Sequence, residues 1–282
     1  MTLSVFFAVL GSAFFQASWN FAAKRSRADK ISLLAVGWFL FGVLFLPFAF
    51  LTFDYSQLAL DWVVFMTVSG AIHGVYLCLL GWGYTIGEIS VIYPVARGLG
   101  IVGTTIGALA LGMHGLSPPG FAGVSAVVLG TLLIGMREVP KRERRMAFFA
   151  AVLIALSVSA YSLVDSLGAK RVPIALYLAG SLLLAPVFAS PFLLVKMRKE
   201  MAHALRNHKL EALLVAAAGS LAYGIILWAY QRTSTAYVAA LREFSVVIAA
   251  GLGVVILEEQ MYKRKALAVV LILAGVVLIK GA

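Results

Sequence analysis

Long apolar stretches alternate with short polar ones along the whole chain, and no polar stretch is long enough to form a soluble domain. A helix that crosses a bilayer needs about 20 mainly apolar residues. The pattern therefore predicts an all-α integral membrane protein with ten transmembrane helices. They fall at residues 3–23, 31–52, 62–84, 88–113, 118–136, 147–168, 173–195, 210–231, 235–257 and 266–280.

The second half of this pattern resembles the first. Trp82-Gly83-Tyr84 precedes Arg97 at nearly the spacing by which Trp228-Ala229-Tyr230 precedes Arg242. Each half holds five predicted helices. Because five is odd, the second copy must be inverted relative to the first, and such inverted repeats are common in secondary transporters, with the binding site at the repeat interface.

The repeat also predicts how the chain is organised. Ser18-Trp19-Asn20 near the start corresponds to Ala160-Tyr161-Ser162 in the second half. We expect a first five-helix repeat at residues 1–137, a basic inter-repeat loop at 138–146 and a second five-helix repeat at 147–282.

Composition supports a membrane location. Hydrophobic residues make up 62% of the chain and charged residues 12%, and the mean hydropathy is +0.98. A soluble domain carries about a quarter charged residues, so this surface is predicted to face hydrocarbon and membrane lipids. The net charge of +11 lies in short clusters between apolar stretches, which indicates juxtamembrane loops rather than a nucleic-acid surface.

The basic residues predict an orientation. Four Lys or Arg residues lie in 24–30, five in 137–145, five in 196–209 and three in 263–265, all after odd-numbered helices. Only four lie on the opposite face. Cytoplasmic loops carry the excess of Lys and Arg, so both termini are expected outside, in a multi-pass protein of the cell inner membrane.

Two motifs carry a family resemblance. Residues 90–98 read SVIYPVARG, and residues 235–243 read TAYVAALRE and continue through the acidic pair Glu258-Glu259 to the Leu-Ala-Gly-Val step at 273–276. The whole chain resembles the EamA family of the drug/metabolite transporter superfamily. The resemblance implies ten helices and a solute carrier of the inner membrane, commonly an exporter of amino acids or related metabolites. The first half lacks the acidic signature, with Gly112-Met113 at the matching place.

Arg97 and Arg242 are the most informative polar positions. A charge at a helix centre costs about 2.5–3.5 kcal/mol on insertion scales and usually faces a cavity or a partner. Arginine presents a planar fork suited to carboxylate or phosphate. One or both arginines are predicted to bind an anionic substrate group, with Arg97 favoured because Glu243 follows Arg242. The alternative is structural, with the arginines tying helices through Glu243, Asp165 or backbone carbonyls.

Glu243 cannot simply pair with Arg242, because adjacent helical residues point about 100° apart; we expect it to face another helix or the cavity. Pro94, one turn before Arg97, is expected to kink the fourth helix or interrupt its hydrogen bonds.

Further candidates lie on other helices. His73 and Tyr76 share a face of the third helix and are predicted to line the cavity, with His73 either titrating in proton coupling or bonded between helices. Asp165 is interpreted as a side chain that snorkels from a helix end, with a proton carrier as the alternative. Trp19, Asn20, Tyr93 and Tyr161 are predicted cavity residues because they lie deep or at matching repeat positions.

Patterns typical of enzymes are absent from the sequence, which has no phosphate-binding glycine loop, no Gly-x-Ser-x-Gly and no metal-type Cys/His cluster. We therefore expect no catalytic residues, no metal and no cofactor. Both repeats lie in one chain, so a monomer and a dimer are both compatible with the sequence.

The leading hypothesis is a secondary transporter, an exporter, of a small polar metabolite with an anionic group, such as an amino acid or organophosphorus compound. A coupling proton is a further candidate partner. One alternative is a multidrug exporter of lipophilic cations, which would use an unpaired deep carboxylate such as Glu243. An alternative from another class is a membrane-embedded enzyme acting on lipid-linked substrates.

Overall fold

The computed structural model describes residues 1–51, 59–86, 89–113, 115–135, 141–257 and 260–282. These residues form twelve helices. They are α1 (Leu3–Arg25), α2 (Lys30–Leu51), α3 (Leu60–Ile86), α4 (Ile89–Ala110), α5 (Pro118–Gly135), α6 (Lys141–Gly168), α7 (Ile174–Lys196), α8 (Arg198–Asn207), α9 (Lys209–Tyr230), α10 (Thr235–Leu241), α11 (Phe244–Leu257) and α12 (Lys263–Lys280).

The predicted all-α membrane fold is confirmed. Within the described residues, nine spans are long and apolar enough to cross a bilayer, and α10 with α11 counts as one of them. α12 corresponds to the tenth predicted span. It is apolar along its middle, but it carries three cations at its start and Lys280 at its end, and so is not among the nine. The ten-helix count thus agrees approximately with the structure.

Two segments differ from the sequence prediction. Residues 196–209, expected as a loop, contain the ten-residue helix α8. This helix is polar on most of its surface, with Ala204 fully buried, so it lacks the apolar length by which spans are recognised. The ninth predicted helix, 235–257, is divided at Arg242 and Glu243 into α10 and α11. In addition, α6 begins at Lys141, within the stretch assigned to the inter-repeat loop.

If each helix of the first half is exchanged with its counterpart in the second half, the same pairs of helices are in contact. α1 packs on α9 as α6 packs on α3, and α2 packs on α9 as α7 packs on α3. α4 contacts α6, while α10 and α11 together contact α1. The pairs α5–α12 and α2–α7 join equivalent helices directly. With five spans in each half, this arrangement is that of two inverted repeats.

Glycines allow α5 and α12 to approach each other closely. On α5 and α12, a Cβ added at Gly123 would lie 2.8 Å from the carbonyl oxygen of Gly275, and one at Gly275 would lie 2.6 Å from that of Gly123. Small residues at helix crossings let membrane helices approach closely and gain van der Waals contact. The α5–α12 pair therefore provides a tight joint between the repeats.

The ends of the helices meet on two opposite faces. On one face the Ser26 hydroxyl, after α1, donates to the Glu211 carboxylate at the start of α9, at 2.6 Å. On the other, Arg171 after α6 lies 3.3 Å from Asp61 at the start of α3. The first face carries α8 and the basic loops described by the structure. The placement of that face in the cytoplasm stays a prediction.

Candidate functional site

A central cavity lies between the two repeats. Its described lining comes from α1, α2, α3, α4, α6, α7, α9 and the break between α10 and α11. The volume of about 90 Å³ is several times the ~10–15 Å³ that one buried water needs. Seven predicted site residues line it: Trp19, His73, Tyr76, Tyr93, Arg97, Tyr161 and Arg242. The cavity thus has the size and the polar groups to hold a small solute.

Arg97 is paired with a carboxylate. Its guanidinium on α4 donates to Glu243, which lies between α10 and α11. Both residues are buried, and Glu243 is only 1% exposed. A buried arginine that binds a carboxylate in this way has its charge compensated within the protein. An interaction with Glu243 is the structural alternative that the sequence predicts for Arg97, and this interaction is present. Glu243 thus contacts another helix rather than its neighbour Arg242.

Arg242 has no carboxylate partner among the described residues. One terminal nitrogen lies 3.5 Å from the side-chain oxygen of Gln16, at the limit of a hydrogen bond. The guanidinium carbon lies 5.1 Å from the centre of the Tyr223 ring. Nε is buried and has no hydrogen-bond partner in the described part of the chain. Arg242 is therefore a buried, cavity-lining cation held mainly by neutral groups, whereas Arg97 has a carboxylate partner.

The helix break explains how neighbouring residues come to face different partners. The backbone N–H groups of Glu243, Ser245 and Val246 each bond the carbonyl three residues earlier, which forms a tight turn between α10 and α11. Discontinuous helices near the centre of a transporter commonly build its binding site. Pro94 does not produce the equivalent break, because α4 runs as a single helix through it.

Asp165 is the second buried carboxyl group of the site, after Glu243. It has no exposed surface and accepts hydrogen bonds from the hydroxyls of Tyr177, at 2.6 Å, and Tyr223. Nε2 of His73 lies 3.9 Å from its Oδ2. The interpretation of Asp165 as a snorkelling side chain is wrong, because the chain continues through α6 to Gly168 and three other helices place polar groups around the carboxylate.

His73 connects Asp165 with the cavity. Its Nδ1 lies 3.0 Å from the carbonyl oxygen of Ser69, one turn earlier on α3. The imidazole stacks on the Tyr161 ring, with centroids 4.2 Å apart. Tyr76 meets the same tyrosine edge to face at 5.8 Å. His73, Tyr76 and Tyr161 therefore form an aromatic wall, one end of which leads to the buried carboxylate.

Asn20 and Glu243 do not line the central cavity. Asn20 donates to the carbonyl oxygen of Gln16 at 2.8 Å and lines an adjoining cavity, which shares Trp19, Tyr76 and Tyr93 with the central one. This second cavity reaches Lys30, at the start of α2. It extends the site toward the face that carries the basic loops. Glu243 stands behind Arg97 as its partner.

Several polar residues that line the cavity were not predicted from the sequence, namely Gln16, Trp38, Tyr177, Ser181, Ser220 and Tyr223. The hydroxyls of Ser181 and Ser220 are buried without a hydrogen-bond partner among the described residues. Small hydroxyl residues and tyrosines are frequent in apolar helices, so nothing local distinguishes these positions. Only Gln16 carried a signal, as an amide deep within the first predicted span.

Possible ligands for a metal are scattered. The described residues contain no group of three or more His, Cys, Asp or Glu side chains that could hold a metal ion.

The fold and the cavity define a polytopic helical membrane protein with a polar site between inverted repeats. A solved crystal structure described only as "Crystal structure of protein" is similar, with a TM-score of 0.70 and 18% identity, over 98% of this chain and 95% of the other. This likeness shows the fold. No curated protein matches the chain.

The family model of the EamA-like transporter family matches residues 145–281, which are the second repeat with Asp165, Arg242 and Glu243. The second repeat therefore belongs to the EamA-like transporter family, within the drug/metabolite transporter superfamily, whose members are membrane transporters. The family's acidic signature at Glu258 and Glu259 lies outside the described residues.

Proposed function

We propose that this transporter carries a small polar metabolite with an anionic group, such as an amino acid or organophosphorus compound, and exports it across the inner membrane. The observation that carries the proposal is Arg242, a buried cation that faces the cavity without a carboxylate partner in the described part of the chain. An anion bound there would supply the missing counter-charge.

The surroundings of Arg242 suit such a ligand. The Arg242 guanidinium carbon lies over the Tyr223 ring, and its N–H groups suit a carboxylate or phosphonate. Ser181 and Ser220 offer hydroxyls to other polar atoms of the solute. Aromatic faces such as Tyr161 and Trp19 could attract an ammonium group, which an amino acid carries in addition.

The alternative substrate class, lipophilic cations, is less well supported. A cation carrier needs an ionised carboxylate free to meet its ligand. Glu243 is engaged by Arg97, and Asp165 accepts bonds from two tyrosine hydroxyls. Neither carboxylate is among the lining residues of the central cavity. A cation would have to rely on aromatic faces alone.

The alternative of a membrane-embedded enzyme depends on Ser69, His73 and Asp165, which lie in a row. The Ser69 hydroxyl is 3.3 Å from His73 Nδ1, and His73 Nε2 is 3.9 Å from Asp165. A nucleophile must reach its substrate and give its proton to the histidine. Ser69 has no exposed surface, and Nδ1 already donates to the Ser69 carbonyl. The arrangement therefore favours a structural serine over a nucleophile.

The test is a thermal-shift screen of the detergent-purified protein with L-glutamate, methylphosphonate, glucose 6-phosphate and tetraphenylphosphonium. A ligand that binds only the folded state stabilises it by about 2.7 kcal/mol at one hundred times its Kd. We expect one or more anionic compounds to raise the unfolding temperature of the wild type, and Arg242→Gln to abolish the rise.

Arg232→Gln is the matched control. Arg232 stacks over Trp228 at the end of α9 and is exposed, so the change removes the same charge outside the cavity. This variant should keep the wild-type response. An anion response that survives Arg242→Gln, or a response to tetraphenylphosphonium alone, would contradict the proposed substrate class.

A further inference from the structure

The proposed anion site at Arg242 does not involve Asp165 or the polar side chains that surround it. This carboxylate lies behind the cavity, and four helices contribute to its surroundings: α6 itself, α3 with His73, α7 with Tyr177 and α9 with Tyr223. Ionisable residues inside a membrane protein are costly to bury and are commonly functional. The group therefore calls for a function of its own.

The hydrogen bonds of His73 determine which of its ring nitrogens carries a proton. A carbonyl oxygen can only accept, so Nδ1, at 3.0 Å from the Ser69 carbonyl, must be the donor. In a neutral imidazole the other nitrogen, Nε2, then has a lone pair and no hydrogen. This lone pair lies 3.9 Å from Oδ2 of Asp165.

Two hydrogen-bond acceptors thus face each other with no proton between them. The Tyr177 hydroxyl donates to Oδ1, and the Tyr223 hydroxyl donates to Oδ2, which keeps a second lone pair for a proton shared with His73. One added proton would turn the repulsive pair into a bonded one, either as a carboxylic acid donating to Nε2 or as an imidazolium donating to the carboxylate. We propose that His73 and Asp165 together bind one coupling proton.

The route for the proton follows from burial. Asp165 has no exposed surface, whereas His73 lines the central cavity. A proton would arrive at His73 from the cavity and be shared with Asp165. The imidazole can accept at Nε2 without breaking its bond to Ser69, so uptake requires no rotation of the ring.

Tyr223 connects this proton site with Arg242. Its hydroxyl donates to Asp165, and the face of its ring lies 5.1 Å from the Arg242 guanidinium. The other titratable groups nearby are Tyr161 on α6, Tyr177 on α7, Tyr230 on α9, and Arg97 of α4 with its partner Glu243. Arg97 and Glu243 compensate each other, so the charges that remain are Arg242 and Asp165.

These two charges give the sign of the coupling. With Asp165 ionised, its negative charge would repel an anion bound at Arg242. Once a proton neutralises the histidine–aspartate pair, Arg242 is left with an excess positive charge in a water-poor cavity, which favours a bound anion. Proton and anion should therefore bind with positive cooperativity, one proton for each monoanion, and export would run on the gradient of the solute itself. This link rests on the proposed function, whereas the proton site does not.

The proton site can be tested with the proton as the only ligand. Infrared spectra of the purified protein in lipid nanodiscs, recorded from acidic to alkaline pH, should show the carbonyl stretch of a protonated, buried carboxylic acid that disappears at high pH. Asp165→Asn should remove this band. Asp61→Asn is the matched control, because Asp61 is a partly exposed partner of Arg171, and it should leave the band unchanged.

A second variant covers the case in which Asp165→Asn does not fold. Tyr223→Phe retains the carboxyl group and removes one hydrogen bond to it, so the band should move to higher frequency. A band that persists in Asp165→Asn, or a Tyr223→Phe spectrum identical to that of the wild type, would overturn the assignment to Asp165. The absence in the wild type of any titrating signal, whether the carbonyl band of the acid or the ring bands of an imidazolium, would overturn the proton site.

The coupling to Arg242 has a separate readout. L-glutamate or methylphosphonate added to weakly buffered wild-type protein should cause proton uptake, seen with a pH-sensitive dye. His73→Gln should lose this uptake and give a smaller thermal shift with the same compound, because the proton that favours anion binding is absent. Uptake retained in His73→Gln would refute the proton site. If Arg242→Gln kept both the proton uptake and the thermal shift, the anion site would be refuted instead. Failure of the proton site and failure of the anion site are therefore distinguishable.

Discussion

The two arginines occupy matching positions in the repeats but have different surroundings. Arg97 is followed by Gly98, and Arg242 is followed by Glu243. Glu243 reaches across the repeat interface and compensates Arg97. Gly98 offers no side chain in return, and a Cβ at that position would lie 2.8 Å from Leu132. The arginine thus occurs in both repeats, whereas the glutamate occurs only in the second. Because Glu243 pairs with Arg97, Arg242 has no carboxylate partner among the described residues.

The backbone differs in the same place. α4 is continuous through Arg97 even though it contains Pro94, whereas the equivalent span is broken after Arg242. The break lets consecutive residues point at different helices, so that Glu243 pairs with Arg97 of α4 while Arg242 faces the cavity. Inverted repeats can therefore give equivalent arginines different surroundings, one paired with a carboxylate and the other facing the cavity.

The largest expected effect comes from Glu243→Gln, which leaves Arg97 buried without its partner. Removing one member of a buried ion pair costs about 3–5 kcal/mol. We expect a large fall in the unfolding temperature of the detergent-solubilised protein. Replacing both residues by methionine should recover much of the loss, because no unpaired charge remains. A Glu243→Gln protein as stable as the wild type would contradict the structural role of the pair.

Lysine substitutions should separate the two arginines in binding. Hydrogen bonds to charged groups contribute about 1.5–3 kcal/mol, so Arg242→Gln should weaken anion affinity about tenfold to hundredfold in calorimetric titrations. Arg242→Lys should restore part of it. Arg97→Lys keeps a cation beside Glu243 and should bind nearly as well as the wild type. Equal losses in both lysine variants would show that the two arginines act together on the ligand.

Tyr223→Phe should have a smaller effect on stability. It removes a hydroxyl that donates to Asp165 and keeps the ring beneath Arg242. A hydrogen bond of this kind contributes about 1 kcal/mol net, and somewhat more when its acceptor is charged. The variant should unfold at a slightly lower temperature and retain anion affinity. A loss of affinity as large as that of Arg242→Gln would mean that the hydroxyl itself contacts the substrate.

Asn20→Ala is expected to have the smallest effect. The amide bonds a carbonyl of its own helix and faces the adjoining cavity rather than Arg242. Anion affinity should change less than about twofold, which corresponds to less than about 0.5 kcal/mol. Trp19→Ala, one position earlier and on the wall of the central cavity, is the comparison variant and should weaken binding more. An equal loss in both would place the ligand across the two cavities.

Much of the site could be predicted because few polar residues occur in apolar spans. His73, Tyr93, Arg97 and Arg242 stand out in the sequence for this reason, and the structure brings them to one cavity. Tyr177, Ser181 and Tyr223 could not be predicted, since such side chains occur throughout apolar helices. Asp165 was visible but misinterpreted, because a carboxylate near a predicted helix end has the same local pattern whether it faces lipid headgroups or three other helices.

Local sequence was sufficient for the helices, the membrane location and the presence of buried charges, because each depends on how a short stretch of chain partitions between water and hydrocarbon. The pairing of charges was decided only by the tertiary structure. Arg97 and Glu243 are 146 residues apart in the chain, and which arginine receives the single carboxylate depends on the packing of α4 against α10. The approach of His73 to Asp165 was likewise decided by tertiary structure, because His73 lies on α3, Asp165 lies on α6, and the two meet only where these helices pack.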